Sequence, residues 1–258
     1  MKRTALRLNI RIVGYFGLQR FSPRMVRSID PAILAALTQN CSYLGGQFEP
    51  QGYNRLLATA HSPPRMLFAK CAAPAKQVFG EAMGLAAQER ACRAAGMDVD
   101  GDQGIVPRVH TYGKTEDGKR AYLVTDYIDA SGSGTAASQR SLGQKLALMH
   151  KHGASDNGKF GFDVPTHCGE TELDNTWTDT WQEFYADRRI GDVIRRIGDS
   201  DLTRIEKELR QHVYPLLLDT LGEVKPAILN GDLWSGNVCY SSDDNRPYIF
   251  DPSSYYAQ

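Results

Sequence analysis

The stretch 228–251 gathers the side chains with the most chemistry to offer. Asp232 and Asn237 share one loop, Asn230-Gly231-Asp232-Leu233-Trp234-Ser235-Gly236-Asn237, and Asp251 closes the apolar run Tyr248-Ile249-Phe250. A kinase-type phosphotransferase needs residues of these types in this order. One carboxylate accepts the proton of an attacking hydroxyl, and a loop amide and a second carboxylate hold Mg²⁺ on the phosphates of ATP. Between the apolar runs Val238-Cys239-Tyr240 and Tyr248-Ile249-Phe250 lies Ser241-Ser242-Asp243-Asp244-Asn245-Arg246-Pro247, dense in turn formers. That pattern predicts a hairpin, which would return Asp251 to the side of Asn237. Two oxygen donors from opposite ends of one hairpin suit a hard cation that keeps several waters. An isolated Asp-x-x-x-x-Asn reads most simply as a capped turn. Gly231, Trp234-Ser235-Gly236 and Asp251-Pro252 turn the balance towards a site.

At these residues the chain resembles the fructosamine/ketosamine-3-kinase family, whose signature runs His-Gly-Asp-Leu-Trp-Ser-Gly-Asn and then Asp-Pro-Ala-Ser-Tyr-Tyr. Asp232 to Asn237 match residue for residue, and Asp251-Pro252-Ser253-Ser254-Tyr255-Tyr256 nearly does. Lys159-Phe160-Gly161-Phe162 and Asn175-Thr176-Trp177-Thr178-Asp179-Thr180-Trp181 resemble the family as well. One departure stands out: the family's His is Asn230 here, a shorter donor with no titrating ring. The resemblance covers residues 29–258. Family members continue for several helices beyond Tyr255-Tyr256, so the larger lobe is expected to be incomplete in this chain.

The resemblance implies an α+β, bilobal protein-kinase-like fold of the aminoglycoside-phosphotransferase type, with ATP and Mg²⁺ between the lobes. It implies phosphorylation of the O3 hydroxyl of a ketosamine, a ribulosamine or a fructosamine, on glycated proteins or small adducts, with deglycation as the outcome. Asp232 becomes the general base, Asn237 and Asp251 the metal ligands, and Trp234 a flat ring beside the sugar. Lys70, at the end of Met66-Leu67-Phe68-Ala69-Lys70, becomes the phosphate lysine. Its partner is Glu81 of Gly80-Glu81-Ala82-Met83-Gly84-Leu85, with Glu89 further along the same helix as the alternative. The strand 121–128 becomes the hinge, where the backbone of Thr125, Asp126 and Tyr127 meets the adenine edge. Two other readings stay open: a choline- or aminoglycoside-type kinase of the same fold, and a binding-only pseudokinase suggested by Asn230.

The elements that must position these groups follow from pattern. Asp30-Pro31 opens a short helix, with Asp30 as N-cap and Pro31 at its first position. Residues 53–60 and 65–70 read as strands around the turn His61-Ser62-Pro63-Pro64. The segment 45–52 contains glycine but fits no nucleotide fingerprint. Residues 130–138 read as a linker, residues 142–150 as a helix with Leu142, Leu146, Leu148 and Met149 facing a core, and residues 190–221 as mostly helical. Trp181, Phe184 and Tyr185 share one helix face and read as core. The domain reading is residues 1–28 as a basic extension, 29–128 as the smaller ATP-binding lobe and 129–258 as the larger catalytic lobe.

Composition sets the outer bounds. The chain has 258 residues, 41% hydrophobic and 23% charged, with a formal net charge of zero. This is enough for two lobes with a real core, and the absence of a basic excess argues against nucleic acid as the main partner. No apolar run is long enough to span a bilayer. Five scattered cysteines without a Cys-x-x-Cys read as free thiols of an intracellular, reducing compartment. Residues 1–28 carry Lys2, Arg3, Arg7, Arg11, Arg20, Arg24 and Arg27 and no acidic residue. That start resembles an organellar transit peptide; an unstructured extension, or a true start at Met25, fits it as well. The expected location is therefore cytoplasmic, or mitochondrial or plastid if the arm is a targeting signal.

Overall fold

The computed structural model describes residues 29–97 and 104–258; the basic stretch 1–28, and with it the transit-peptide expectation, lies outside the described residues. Helix α1 (Pro31–Asn40) starts where the sequence predicts. An Asp30 carboxylate oxygen accepts the Ala32 N–H at 3.0 Å and Pro31 occupies the first turn. Strands β1 (Phe48–Pro50), β2 (Arg55–Ala58) and β3 (Arg65–Ala72) come next, then helix α2 (Ala75–Ala94) and strands β4 (Val109–Lys114) and β5 (Ala121–Asp126). These strands form one antiparallel sheet in the order β1-β2-β3-β5-β4. Two local expectations are corrected here. Tyr53 and Asn54 are a turn rather than strand, with Asn54 at φ 56°, and the irregular glycine segment contributes β1, paired to β2. Ile33, Leu37, Leu44, Leu56, Leu67 and Val124 pack α1 onto this sheet.

The second half is mainly helical. Helix α3 (Ala136–His152) begins within the expected linker, because the Thr135 and Ser138 side chains cap each other's backbone N–H. Met149 is fully buried while Leu148 is 40% exposed, so the core face is narrower than the apolar pattern suggested. Strands β6 (Thr166–Cys168) and β7 (Thr171–Leu173) make a hairpin. A short helix α4 (Trp181–Glu183) runs on into a π-helical stretch over Phe184–Gly191, then α5 (Asp192–Ile197), α6 (Ser200–Glu208) and α7 (Tyr214–Leu217). Phe184 is fully buried, with Trp181 and Tyr255 packed against it, so the aromatic stripe is core as expected. Strand β8 (Ala227–Leu229) leads into the loop 230–237, and β9 (Val238–Tyr240), β10 (Pro247–Ile249) and β11 (Tyr255–Ala257) close the chain.

Helix α2 is where the two halves meet. Its Leu85, Ala91 and Cys92 share one buried cluster with Met149 of α3, Ile228 of β8 and Ile249 of β10. Each fully buried Leu, Ile or Met contributes about 1.5–3 kcal/mol through apolar area removed from water. The same helix therefore carries Glu81 and packs against the strands on either side of the loop 230–237. Among the described residues, no helix is long and apolar enough to cross a membrane.

Candidate active site

The predicted hairpin forms. β9 and β10 pair with Ile249 opposite Val238, and the Phe250 N–H donates to the Asn237 carbonyl at 3.2 Å. On the other side β11 pairs with β8, Tyr255 opposite Leu229, and the Ser253 N–H donates to the Asn230 carbonyl at 2.8 Å. Two ladders thus clamp the loop holding Asp232 against the segment holding Asp251. Gly231 makes the approach possible. It sits at φ 82°, and a Cβ there would lie 2.2 Å from the Ser253 carbonyl oxygen. Gly236 has a similar role, since a Cβ would strike the Trp234 indole folded over it.

Asn237 ties the three predicted residues together. Its Nδ2 donates to the Asp232 carbonyl at 2.9 Å, to Asp232 Oδ2 at 3.2 Å and to the Asp251 carbonyl at 3.4 Å. With the amide nitrogen turned inward, Oδ1 makes no hydrogen bond among the described residues and is free to act as a ligand. Asp251 adopts φ 46°, a left-handed conformation that aspartate tolerates better than most residues. Its charge acts on both Lys70 and Glu81. Asn230 is buried; its Oδ1 accepts the Asp232 N–H at 3.2 Å and its Nδ2 has no partner among the described residues.

In the sheet half, Lys70 on β3 meets Glu81 on α2, Nζ to Oε2 at 2.7 Å. Burial disfavours the ammonium, but Glu81 and then Asp251 more than offset it and hold Lys70 above the usual lysine range. Burial pushes the Glu81 carboxyl up, against the pull of Lys70. Glu89, the alternative partner, is committed elsewhere. It accepts from Arg93 at 2.8 Å and from the Val109 N–H at 2.8 Å.

The segment 125–127 runs along the end of β5, and part of its backbone is engaged in the sheet. The Asp126 N–H donates to the Arg108 carbonyl at 3.0 Å and the Tyr127 N–H to the Met66 carbonyl at 3.2 Å. Thr125 is held in the ladder between Phe68 and Val109. The N–H groups of Asp126 and Tyr127 are thus spent inside the sheet, and the Asp126 carbonyl accepts from Thr125 Oγ1 at 3.0 Å. The Asp126 side chain is also engaged, with Arg65 at 2.7 Å and His110 at 2.9 Å.

Two neighbours of the loop bear on an acceptor. Trp234 is 46% exposed beside Asp232, open to a flat ligand. Cys168, which sequence reasoning missed, lies at the tip of the β6–β7 hairpin with Sγ 3.7 Å from Asp232 Oδ1. Burial and the Asp232 charge push its thiol up, so it stays protonated as a weak donor. Its position in sequence, far from the loop, gave no signal.

The donor set fits Mg²⁺. Among the described residues no group of three or more His, Cys, Asp or Glu forms a protein cage. An amide oxygen and one carboxylate are the sparse, hard ligands that Mg²⁺ takes when phosphates and water complete its shell.

A small sheet with a lysine–glutamate pair, joined to a helical half bearing a carboxylate–amide–carboxylate loop, defines a protein-kinase-like fold. Its solved relatives share it. A Thermobifida fusca protein, provisionally named a fructosamine-3-kinase, superposes with a TM-score of 0.56 at 26% identity, covering 82% of this chain and 69% of that one. A Haemophilus somnus protein with the same provisional name gives 0.54 at 19% identity, over 82% of this chain and 64% of that one. The sequence pattern described as "Fructosamine kinase" matches residues 96–258, and the chain belongs to that family. An Arabidopsis thaliana chloroplastic protein-ribulosamine 3-kinase is 39% identical over 155 residues, 58% of this chain and 45% of that one. A mouse ketosamine-3-kinase is 41% identical over 102 residues, 38% of this chain and 32% of that one. The matched region thus spans under half the length of these two relatives.

Proposed function

We propose that this chain transfers the γ-phosphoryl group of ATP to the O3 hydroxyl of a ketosamine, with a ribulosamine attached to a lysine amine as the leading substrate. The observation that carries the proposal is the Asn237 amide, which bridges the Asp232 carboxylate and the Asp251 carbonyl within reach of the Lys70 charge. Asp232 accepts the O3 proton as that oxygen attacks, while Lys70, oriented by Glu81, holds the phosphates. Asn237 Oδ1 and the Asp251 carboxylate are the residues that would hold Mg²⁺. Bound there, the ion would neutralise phosphate charge. Trp234 offers its face to the sugar. After transfer the 3-phosphate leaves by elimination and the amine is freed, so the outcome on a glycated protein is deglycation. The chloroplastic address in the plant relative's name, with the basic residues of 1–28, supports delivery to an organelle.

The test is ADP release with MgATP and an acceptor panel of ribulosyl-lysine, fructosyl-lysine, choline and an aminoglycoside. Turnover confined to the ketosamines is expected. Turnover on choline or the aminoglycoside alone would replace the substrate class, and nucleotide binding with no transfer to any acceptor would leave a pseudokinase.

A further inference from the structure

Asp251 sits at φ 46°, a conformation uncommon outside glycine even though aspartate tolerates it. Residues 253–255, just past it, are held by a buried chain of directed side-chain hydrogen bonds. Gln88 Nε2 donates to Ser254 Oγ at 2.8 Å, and Thr166 Oγ1 donates to the Ser254 carbonyl at 3.2 Å. Asn175 Nδ2 donates to Thr166 Oγ1 at 2.9 Å, and Arg189 donates to Asn175 Oδ1 at 2.7 Å. Ser253 Oγ donates to the His167 carbonyl at 2.5 Å. Gln88, Thr166 and Ser254 are 0% exposed, Ser253 1% and Asn175 3%. The Arg189 guanidinium lies 3.9 Å from the centre of the Tyr255 ring, closing the far end of the chain.

Helix α2 is shaped to make the first of these contacts. A Cβ at Gly80 would meet the Pro165 carbonyl oxygen at 2.5 Å, and one at Gly84 would meet Ser254 Cβ at 2.9 Å. Gly80, Gly84 and Gln88 recur every fourth residue, so one bare stripe of the helix lies flush on β6 and on Ser254. Gln88 Oε1 is buried without a partner among the described residues. An amide that leaves half its capacity unmet costs stability that an apolar side chain would not, and its side-chain hydrogen bond among the described residues goes to Ser254.

We propose that Gln88, with Thr166 and Asn175, is a positioning residue that fixes Asp251 in its metal-facing conformation and couples it to the helix that carries Glu81. The inference rests on the phosphotransferase reading of the site. One helix then sets both halves of the phosphate site, Lys70 through Glu81 and Asp251 through Gln88 and Ser254.

The experiment measures Mn²⁺ by electron paramagnetic resonance with the full chain and a non-hydrolysable ATP analogue. The variants are Gln88→Leu, Thr166→Val and the double variant Gln88→Leu/Ser254→Ala. Outer-shell partners of metal ligands typically change metal affinity by about 10–100-fold. Gln88→Leu and Thr166→Val are each expected to weaken Mn²⁺ retention by about tenfold, while metal-free nucleotide binding and far-UV circular dichroism stay unchanged. The double variant should be no weaker than Gln88→Leu, because both changes break one link. Folded variants with wild-type Mn²⁺ affinity would overturn the positioning role and leave the function intact. A wild-type chain that retains no Mn²⁺ with nucleotide would overturn both. Should Gln88→Leu fail to fold, Thr166→Val is read by the same outcomes.

Discussion

Replacing Gly231 by alanine tests the joint on which the site depends. At φ 82° an alanine pays the left-handed penalty, about 1–2 kcal/mol. Its Cβ would also lie 2.2 Å from the Ser253 carbonyl oxygen, a backbone atom that cannot swing aside. Relieving that overlap needs a shift on the order of 1 Å, and overpacking of this kind costs about 1–3 kcal/mol more. The expected loss of about 2–5 kcal/mol is a large part of an ordinary domain's stability. The shift opens the Ser253–Asn230 hydrogen bond and slides Asp232 past Asp251. Misplacement of about 1 Å costs on the order of 100-fold in rate. Urea denaturation followed by circular dichroism gives the first number and phosphotransfer the second. Gly118→Ala is the control, because it has φ 66° but nothing within 4 Å of a Cβ, so it isolates the backbone term. If Gly231→Ala matches Gly118→Ala in stability and keeps full turnover, the tight joint is not what aligns the two aspartates.

Other outcomes depend on single contacts. Glu81→Gln strips Lys70 of its charge partner, a hydrogen bond between ions worth about 1.5–3 kcal/mol, so kcat/KM for ATP should fall by about 10–100-fold; steady-state kinetics at saturating acceptor would show it. Burial opposes ionisation of Asp126, but His110 and Arg65 more than offset it and hold its carboxyl below the usual range. A lowered folded-state value means stability present above about pH 4 and lost as pH falls through that value. Asp126→Asn should therefore be less stable by about 1–3 kcal/mol at pH 7, and the gap to wild type should close in acid. A gap that widens in acid would reverse the sign of the effect. Asn230→His should keep or raise turnover, since the buried Asn230 Nδ2 already lacks a partner among the described residues; a clear loss in the same assay would show that the amide itself supports the loop through the Asp232 N–H.

How much was legible in the chain depends on the range of each interaction. The hairpin that returns Asp251 to Asn237 was readable because turn formers and apolar runs are local signals, and β9 and β10 fall where they pointed. Lys70 was readable only in the light of the downstream loop, since a lysine on a strand reads first as a solvated charge, and β3 runs two residues past it to Ala72. Glu81 is preferred to Glu89 only through the family resemblance of Gly80-Glu81, because both lie on α2 and it is packing against β3 and β4 that assigns one to Lys70 and the other to Arg93 and Val109. Which backbone groups of 125–127 the sheet engages was not legible either, for a related reason. Sheet register uses up the N–H groups of Asp126 and Tyr127, and register leaves little trace in composition. Cys168 beside Asp232 and Gln88 beside Ser254 join residues 64 and 166 positions apart, far beyond any periodicity. Strand β1 was hidden in an irregular glycine segment whose pairing with β2 is fixed by the sheet rather than by its own residues.

Everything proposed for this site depends on Asp232 stripping a proton from a sugar hydroxyl that the metal-side residues bring to ATP. Phosphorus NMR of MgATP with synthetic ribulosyl-lysine, run with wild type and with Asp232→Asn, tests that step most directly. The predicted result is a new phosphomonoester resonance coupled to the C3 proton in wild type. Asp232→Asn should reduce it by about 100-fold or more while binding ATP within a few-fold of wild type. A 3-phosphate formed equally fast by Asp232→Asn would contradict the assignment of Asp232 as the base.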